Sequence, residues 1–334
     1  MNLNEVKMYP IHKLDGNIAC ILQKIVSADI KTNVLKGLHN KIKYIDECSH
    51  ITNVAEIKGN NHDAQVYLSS AFCQFLWLLD DIALKQVDFS IIQEECYKNN
   101  IDVATYKKST EYLLKTPEVL NVFANTYGID FNQYYEYLKR TTHLLEKSEF
   151  KKSIKEDFSL ASSLIDSNST INMTDFNKIN ITGLYEQLVN SVYCFGIAFI
   201  LLHELSHFEL GHLDKVGEEM LDEINADYAA FWDIYNDLND RELFSANVGI
   251  LCALFSLLML NPNEEDDGIH PKESDRIFFI LDQISSDNPK YSVLVDKFFK
   301  MWAKCYNIQN FPNVEDNVDE SLKQIRSFMK NYKN

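Results

Sequence analysis

The sequence predicts an α+β protein, predominantly α-helical, with a small β-sheet near its N-terminus. Three observations carry this. Glycine and proline, the strongest local punctuators of a chain, number only 10 and 6 in 334 residues. Most segments repeat apolar residues at the three-to-four spacing of a helix, over lengths that strands do not reach. One early stretch departs from that pattern. Residues 41–69, KIKYIDECSHITNVAEIKGNNHDAQVYLS, mix β-branched and aromatic residues with polar ones and hold a turn signal at Gly59-Asn60-Asn61, as two or three short strands would.

After this small sheet, residues 70–84 read as a helix in which Phe72, Phe75, Leu76, Trp77 and Leu79 supply bulk. Residues 91–164 read as several amphipathic helices, rich in Tyr and Lys and without repeats, which would serve as scaffold. The sharpest compositional break is at 167–182, SNSTINMTDFNKINIT, polar and turn-rich, read as a loop or an edge strand. A helix over 184–210 should end at Gly211, because glycine takes the left-handed conformation beyond a helix terminus at little cost. Further helices are expected over about 217–238 and 246–260 and, after a loop through Asp267, from near Glu273. An amphipathic helix at 318–332 closes the chain. This plan divides into an N-terminal scaffold, residues 1–165, and a helical region that carries the chemistry, residues 166–334; the two could form one continuous two-lobed domain.

Composition excludes some function classes. Thirty-two basic against forty-nine acidic residues leave a net charge of -17, which repels phosphate backbones and argues against nucleic-acid binding. Seven scattered cysteines without a CxxC pair fit reduced thiols and a cytoplasmic location. The start, MNLNEVKMYPIHKLD, lacks the basic and apolar regions of a secretory signal. Two uncharged stretches, 188–202 and 243–263, imitate membrane spans. The first runs into a histidine cluster and the second is interrupted by Ser245, Asn247, Gly249 and Ser256, so both are read as buried core helices and no stable span is expected.

The chemistry gathers at residues 201–212, LLHELSHFELGH. His203 and His207 are four apart, so on a helix their imidazoles leave one face a turn apart and can share a metal. With Glu204 between them this is an HExxH arrangement, suited to zinc hydrolysis: two imidazoles hold the ion while the glutamate takes a proton from water. The apolar run at 192–202 would anchor that turn in the core and set the histidines at the edge of a cleft. A hydrolytic site needs a third protein ligand and an open position. His212 follows His207 by five residues, not the six of the metzincin pattern, and is read as a helix-end or surface residue. Glu223, in EINADYAA, is the better third ligand. Asp227, one turn on, could accept a hydrogen bond from a ligand histidine, and Ala226 and Ala230 would let the two helices approach closely. Without the HExxH, the same carboxylates would read as a solvated acidic face. Downstream, HPKESDRI sets His270 and Arg276 around a helix start. The histidine could donate to a developing oxyanion, and the arginine could pair with a carboxylate such as Asp227 or hold substrate.

The order HELSHFELGH, EINAD, VGILCALFSLLML, HPKESDRI resembles gluzincin peptidases of the CAAX-endopeptidase and HtpX-like kind, and more closely the Lit phage-exclusion peptidase family. The resemblance is specific over residues 192–280 and extends to 60–79, NNHDAQVYLSSAFCQFLWLL. It implies a zincin-like fold, one zinc ion per chain, and endopeptidase activity on an intracellular protein in phage exclusion or related defence; a site latent at rest would add an activator from phage or host as a partner. It also implies zinc ligation by His203, His207 and Glu223, base work by Glu204, and a functional role for His270 and Arg276.

Two other readings compete. The ExxH motifs at Glu204–His207, Glu47–His50 and Glu209–His212 invite a di-iron carboxylate site, which needs two such motifs on separate long helices. A latent or non-catalytic zinc-stabilised sensor would close the fourth position with a protein ligand, for which His212 and His270 are the candidates.

Overall fold

The computed structural model describes residues 10–25, 42–45, 50–51, 54–58, 65–127, 130–144, 147–166, 184–210, 219–236, 238–264, 270–284, 289–314 and 317–332. Two of the turn-rich segments singled out above, Gly59-Asn60-Asn61 and residues 167–182, lie outside them. After a short 3-10 turn, Pro10–Leu14, come helix α1 (Asp15–Ile25) and strands β1 (Ile42–Ile45), β2 (Ala55–Lys58) and β3 (Gln65–Ser69). The predicted small sheet is present with three strands among the described residues, in the order β1-β3-β2. β1 pairs in parallel with β3 (Ile42 opposite Val66) and β2 antiparallel (Ala55 opposite Leu68), so the last strand in sequence is the middle one in space.

β3 runs straight into α2 (Ser70–Lys98), because Ser69 Oγ accepts a hydrogen bond from the Phe72 backbone N–H at 3.0 Å and caps the helix start. α2 continues fourteen residues past the expected end at Leu84. Val87, Ile92 and Cys96 keep a buried face at helical spacing, and no glycine or proline intervenes before Asn100, which turns left-handed at φ 52°. The helices α3 (Val103–Lys115), α4 (Pro117–Tyr127), α5 (Phe131–Leu144) and α6 (Lys147–Ile165) follow as the amphipathic set the sequence predicts.

The interior is built on α7 (Leu184–Glu209), α8 (Glu219–Asn236) and α9 (Asp240–Leu260), with α10 (Glu273–Ile284), α11 (Pro289–Cys305) and α12 (Val318–Asn331) packed outside them. α7 and α9 are apolar nearly all round, as fully buried helices must be. Both are long and apolar enough to cross a membrane by length and composition, yet about four-fifths of each apolar window (83% and 78%) is buried inside this fold. α9 begins six residues before its expected start. Asn239 Oδ1 accepts from the Glu242 N–H at 3.2 Å while Glu242 Oε2 accepts from the Asn239 N–H at 3.3 Å, a reciprocal capping box that the sequence NDRE announces. α7 contacts α1, α2, α8, α9 and strand β2, which makes it the central element. One continuous cluster of buried apolar side chains extends from Ile11 to Met329 around it. Within that cluster a polar tie, Trp77 Nε1 donating to Asn190 Oδ1 at 3.0 Å, registers α2 against α7.

Candidate metal centre

The last two turns of α7 leave the core and meet α8. His203 is buried, and Glu204 and His207 are half-buried, one turn of helix from the apolar run that fixes their backbone. α8 presents Glu223 and Asp227 to them while Ala226 and Ala230, both fully buried, keep the two helices close. This is no solvated acidic face: Asp222 and Asp227 are buried, and Glu223 is half-buried.

Three potential ligand atoms converge. His203 Nε2 and His207 Nε2 are 3.1 Å apart, with the rings at 74° to one another. Glu223 Oε2 is 3.2 Å from His203 Nε2, and its Oε1 is 3.1 Å from His207 Nε2. Ligand atoms of these three residues lie within 4.8 Å of one another, so they could hold a metal ion. For metal–nitrogen and metal–oxygen bonds of about 2.0–2.2 Å, the edge of a tetrahedron is roughly 3.3–3.5 Å. The separation of the two imidazole nitrogens is close to that edge, Glu223 approaches each histidine through a different carboxylate oxygen, and two imidazole nitrogens and a carboxylate are a donor set that zinc accepts.

Asp227 sets the orientation of His203. Its Oδ1 lies 2.9 Å from His203 Nδ1, so the imidazole donates there and its Nε2 faces the cluster. Asp227 is itself clamped by Arg276 from α10: Nε donates to Oδ2 at 2.6 Å and Nη2 to Oδ1 at 2.7 Å, with both residues buried. Of the two roles open to Arg276, pairing with Asp227 is the one that the geometry displays. His270 precedes α10 and is exposed, with Nε2 3.8 Å from Glu223 Oε1.

The electrostatics favour positive charge at the point of convergence. Burial opposes a charged His203, but hydrogen bonds to Asp227 and Glu223 outweigh it and raise its pKa to about 9. Burial likewise opposes the carboxylates. His203 and His207 nevertheless hold Glu223 well below the usual range, and Arg276 with His203 holds Asp227 at about 2. Glu204 moves the other way: burial raises its pKa, only partly opposed by the two histidines.

Thus His203, Glu204, His207, Glu223, Asp227, His270 and Arg276 all come to one place, although α7, α8 and α10 are separated in sequence. His212, Glu47 and the side chain of Glu209 lie outside the described residues. Among the described residues the His203, His207, Glu223 group is the cluster of three or more such side chains able to hold a metal. Sequence reading missed Glu264, whose carboxylate accepts from the Ser274 N–H at 2.6 Å and from Ser274 Oγ at 2.7 Å, anchoring the start of the helix that carries Arg276. It also missed the apolar side chains beside Glu223 on the outer stripe of α8, for which the i, i+4, i+8 spacing of Met220, Ile224 and Tyr228 was the available signal.

The family described as Peptidase U49, the Lit-like peptidases, matches residues 66–295. The match runs from β3 into α11 and is continuous through residues 91–164, where the motifs carry no specific resemblance. No curated protein and no solved structure matches the chain.

Proposed function

The chain belongs to the Peptidase U49 family, and from that premise we propose that it is a zinc-dependent endopeptidase of the HExxH, gluzincin type, with His203, His207 and Glu223 as the residues that hold the ion. The observation that carries this reading is the convergence of three ligand atoms within 4.8 Å at the mouth of a buried helix. When bound, the ion supplies Lewis acidity, which polarises a carbonyl and makes water a better nucleophile at neutral pH.

The chain's own residues do the rest. Glu204 accepts a proton from the attacking water at its carboxylate and returns it to the departing amine; its upward-shifted pKa suits a group that must both take and give. Asp227 holds His203 in the tautomer whose Nε2 is free to ligate, and Arg276 acts through Asp227 as a positioning residue. His270, on the exposed side of Glu223, donates a hydrogen bond to the oxyanion that develops on the substrate carbonyl. The substrate is an intracellular protein and the role is phage exclusion or related defence. This part rests on the likeness of HELSHFELGH, EINAD and HPKESDRI to the Lit family, and the six free cysteines among the described residues fit a reducing compartment.

Metal analysis of the wild type beside His203→Ala and Glu223→Ala, with circular dichroism as the folding control, tests the ligand set. A single zinc ion per wild-type chain, lost in both variants, is expected; zinc retained without Glu223 would overturn the assignment. Glu204→Gln should keep zinc and fold yet lose turnover by about 10²-fold or more, and an active Glu204→Gln protein would overturn the base role.

A further inference from the structure

Met220, Ile224 and Tyr228 stand at i, i+4 and i+8 on α8, one residue round the helix from the stripe that carries Glu223 and Asp227. All three are large and apolar or aromatic, yet 37%, 45% and 51% exposed, where most side chains of that kind in this chain are buried. Across from them Phe279 of α10 lies with its ring 6.2 Å from that of Tyr228. Between the two helices is a cavity of about 390 Å³ whose apolar lining is Met220, Ile224, Pro271 and Phe279. It shares His270, Asp227 and Arg276 with the candidate metal centre, so it opens beside the reacting atoms.

The cavity has the chemistry of an apolar subsite. Asp227 and Arg276 pair with each other, and so offer no net charge to an occupant. Lys272 and Asp275, which complete the lining, are also opposite in sign. A charged side chain entering here would lose water without gaining an uncompensated partner, whereas an apolar one covers the exposed carbons of Met220, Ile224 and Phe279. The volume is within the roughly 300–1,000 Å³ of small-ligand sites.

We propose that this cavity receives a large aliphatic or aromatic side chain of the peptide substrate, flanking the bond to be cleaved, and that Met220, Ile224 and Phe279 set the preference. The inference rests on the peptidase reading of the adjoining centre, but its test does not depend on turnover. Binding of the hexapeptide amides Ala-Ala-Ala-X-Ala-Ala, with X as Leu, Phe, Ala, Asp or Lys, is measured by calorimetry on zinc-loaded Glu204→Gln protein, alone and combined with Ile224→Asp. Ile224 is half-exposed, so that substitution should not disturb folding, and circular dichroism checks it. The Leu and Phe peptides should bind at least about tenfold more tightly than the Asp and Lys peptides, and Ile224→Asp should abolish that difference. Equal affinity for all five, no binding by any of them, or a preference unmoved by Ile224→Asp would each overturn the subsite. A preference that behaves as expected in a wild type that hydrolyses none of the peptides would leave the subsite standing and count against the catalytic reading alone.

Discussion

A Cβ placed on Gly249 would stand 2.8 Å from the backbone nitrogen of Gly196, and 2.3 Å from the carbonyl oxygen of Val192, so α9 crosses α7 in backbone contact at this glycine pair. The crossing lies two helical turns before His203 and sets how α7 is seated beneath the candidate metal centre.

Gly249→Ala therefore cannot be accommodated by a side-chain rotation, because the atoms it meets are backbone. Within a helix the same change usually stabilises by up to about 1 kcal/mol. Here overpacking should dominate and cost about 1–3 kcal/mol or more. Gly16→Ala in α1, where nothing lies within 4 Å of the added carbon, is the control and should be neutral or mildly stabilising. Chemical denaturation of both variants checks this; an unaltered Gly249→Ala midpoint would mean that the crossing yields.

Arg276 and Asp227 form a buried pair, and removing one partner strands the other. Arg276→Met should destabilise by about 3–5 kcal/mol. The double variant Asp227→Leu, Arg276→Met should recover much of that loss, since an apolar pair of similar volume needs no compensation. Zinc affinity should not recover with it, because His203 Nδ1 has lost its acceptor, which typically weakens a site about 10–100-fold. Denaturation curves and chelator competition on the same samples separate the two effects. If stability and affinity recovered together, Asp227 would not be orienting His203.

His270 lies 3.8 Å from Glu223 with 49% of its side chain exposed, a position from which it can reach substrate without being needed for the fold. His270→Ala should lower kcat about 10²–10³-fold with little change in KM or zinc content, as for loss of a donor that acts in the transition state. A rise in KM alone would make it a binding residue, and loss of zinc would make it a ligand.

Local relations were legible in the sequence and long-range ones were not. The pairing of His203 with His207, and of Glu223 with Asp227, follows from four-residue spacing on a helix, and the polar run in HPKESDRI marks a helix start. That the two apolar stretches are interior helices follows from their lack of any polar face. The extension of α2 to Lys98 was readable from Val87, Ile92 and Cys96, but weaker periodicity among charged residues masked it. The crossing at Gly196 and Gly249 depends on how residues fifty-three apart pack, and a glycine inside an apolar helix does not name its neighbour. The same holds for the cavity between α8 and α10. Its walls are unremarkable residues on each helix and become a site only when Phe279 is brought to Tyr228.

Glu264 makes the stability of the α10 anchor depend on pH. It is 2% exposed and left-handed at φ 47°, a strain of about 1 kcal/mol or more for a non-glycine residue, and its carboxylate receives both Ser274 hydrogen bonds. Burial, only partly opposed by those hydrogen bonds, raises its pKa from 4.5 to about 7. A carboxyl whose folded pKa lies above its unfolded value binds its proton more tightly in the native state. Its contribution is fully present below about pH 4.5 and is lost as pH rises through 7, by on the order of 3 kcal/mol. Glu264→Gln keeps the shape and an acceptor for the Ser274 N–H but cannot ionise. The stability of wild type relative to Glu264→Gln should therefore fall between pH 4.5 and 7.5, measured by denaturation at a series of pH values. Parallel curves across that window would show that the carboxylate ionises in the fold as easily as in the unfolded chain, and that the Ser274 hydrogen bonds fully offset its burial.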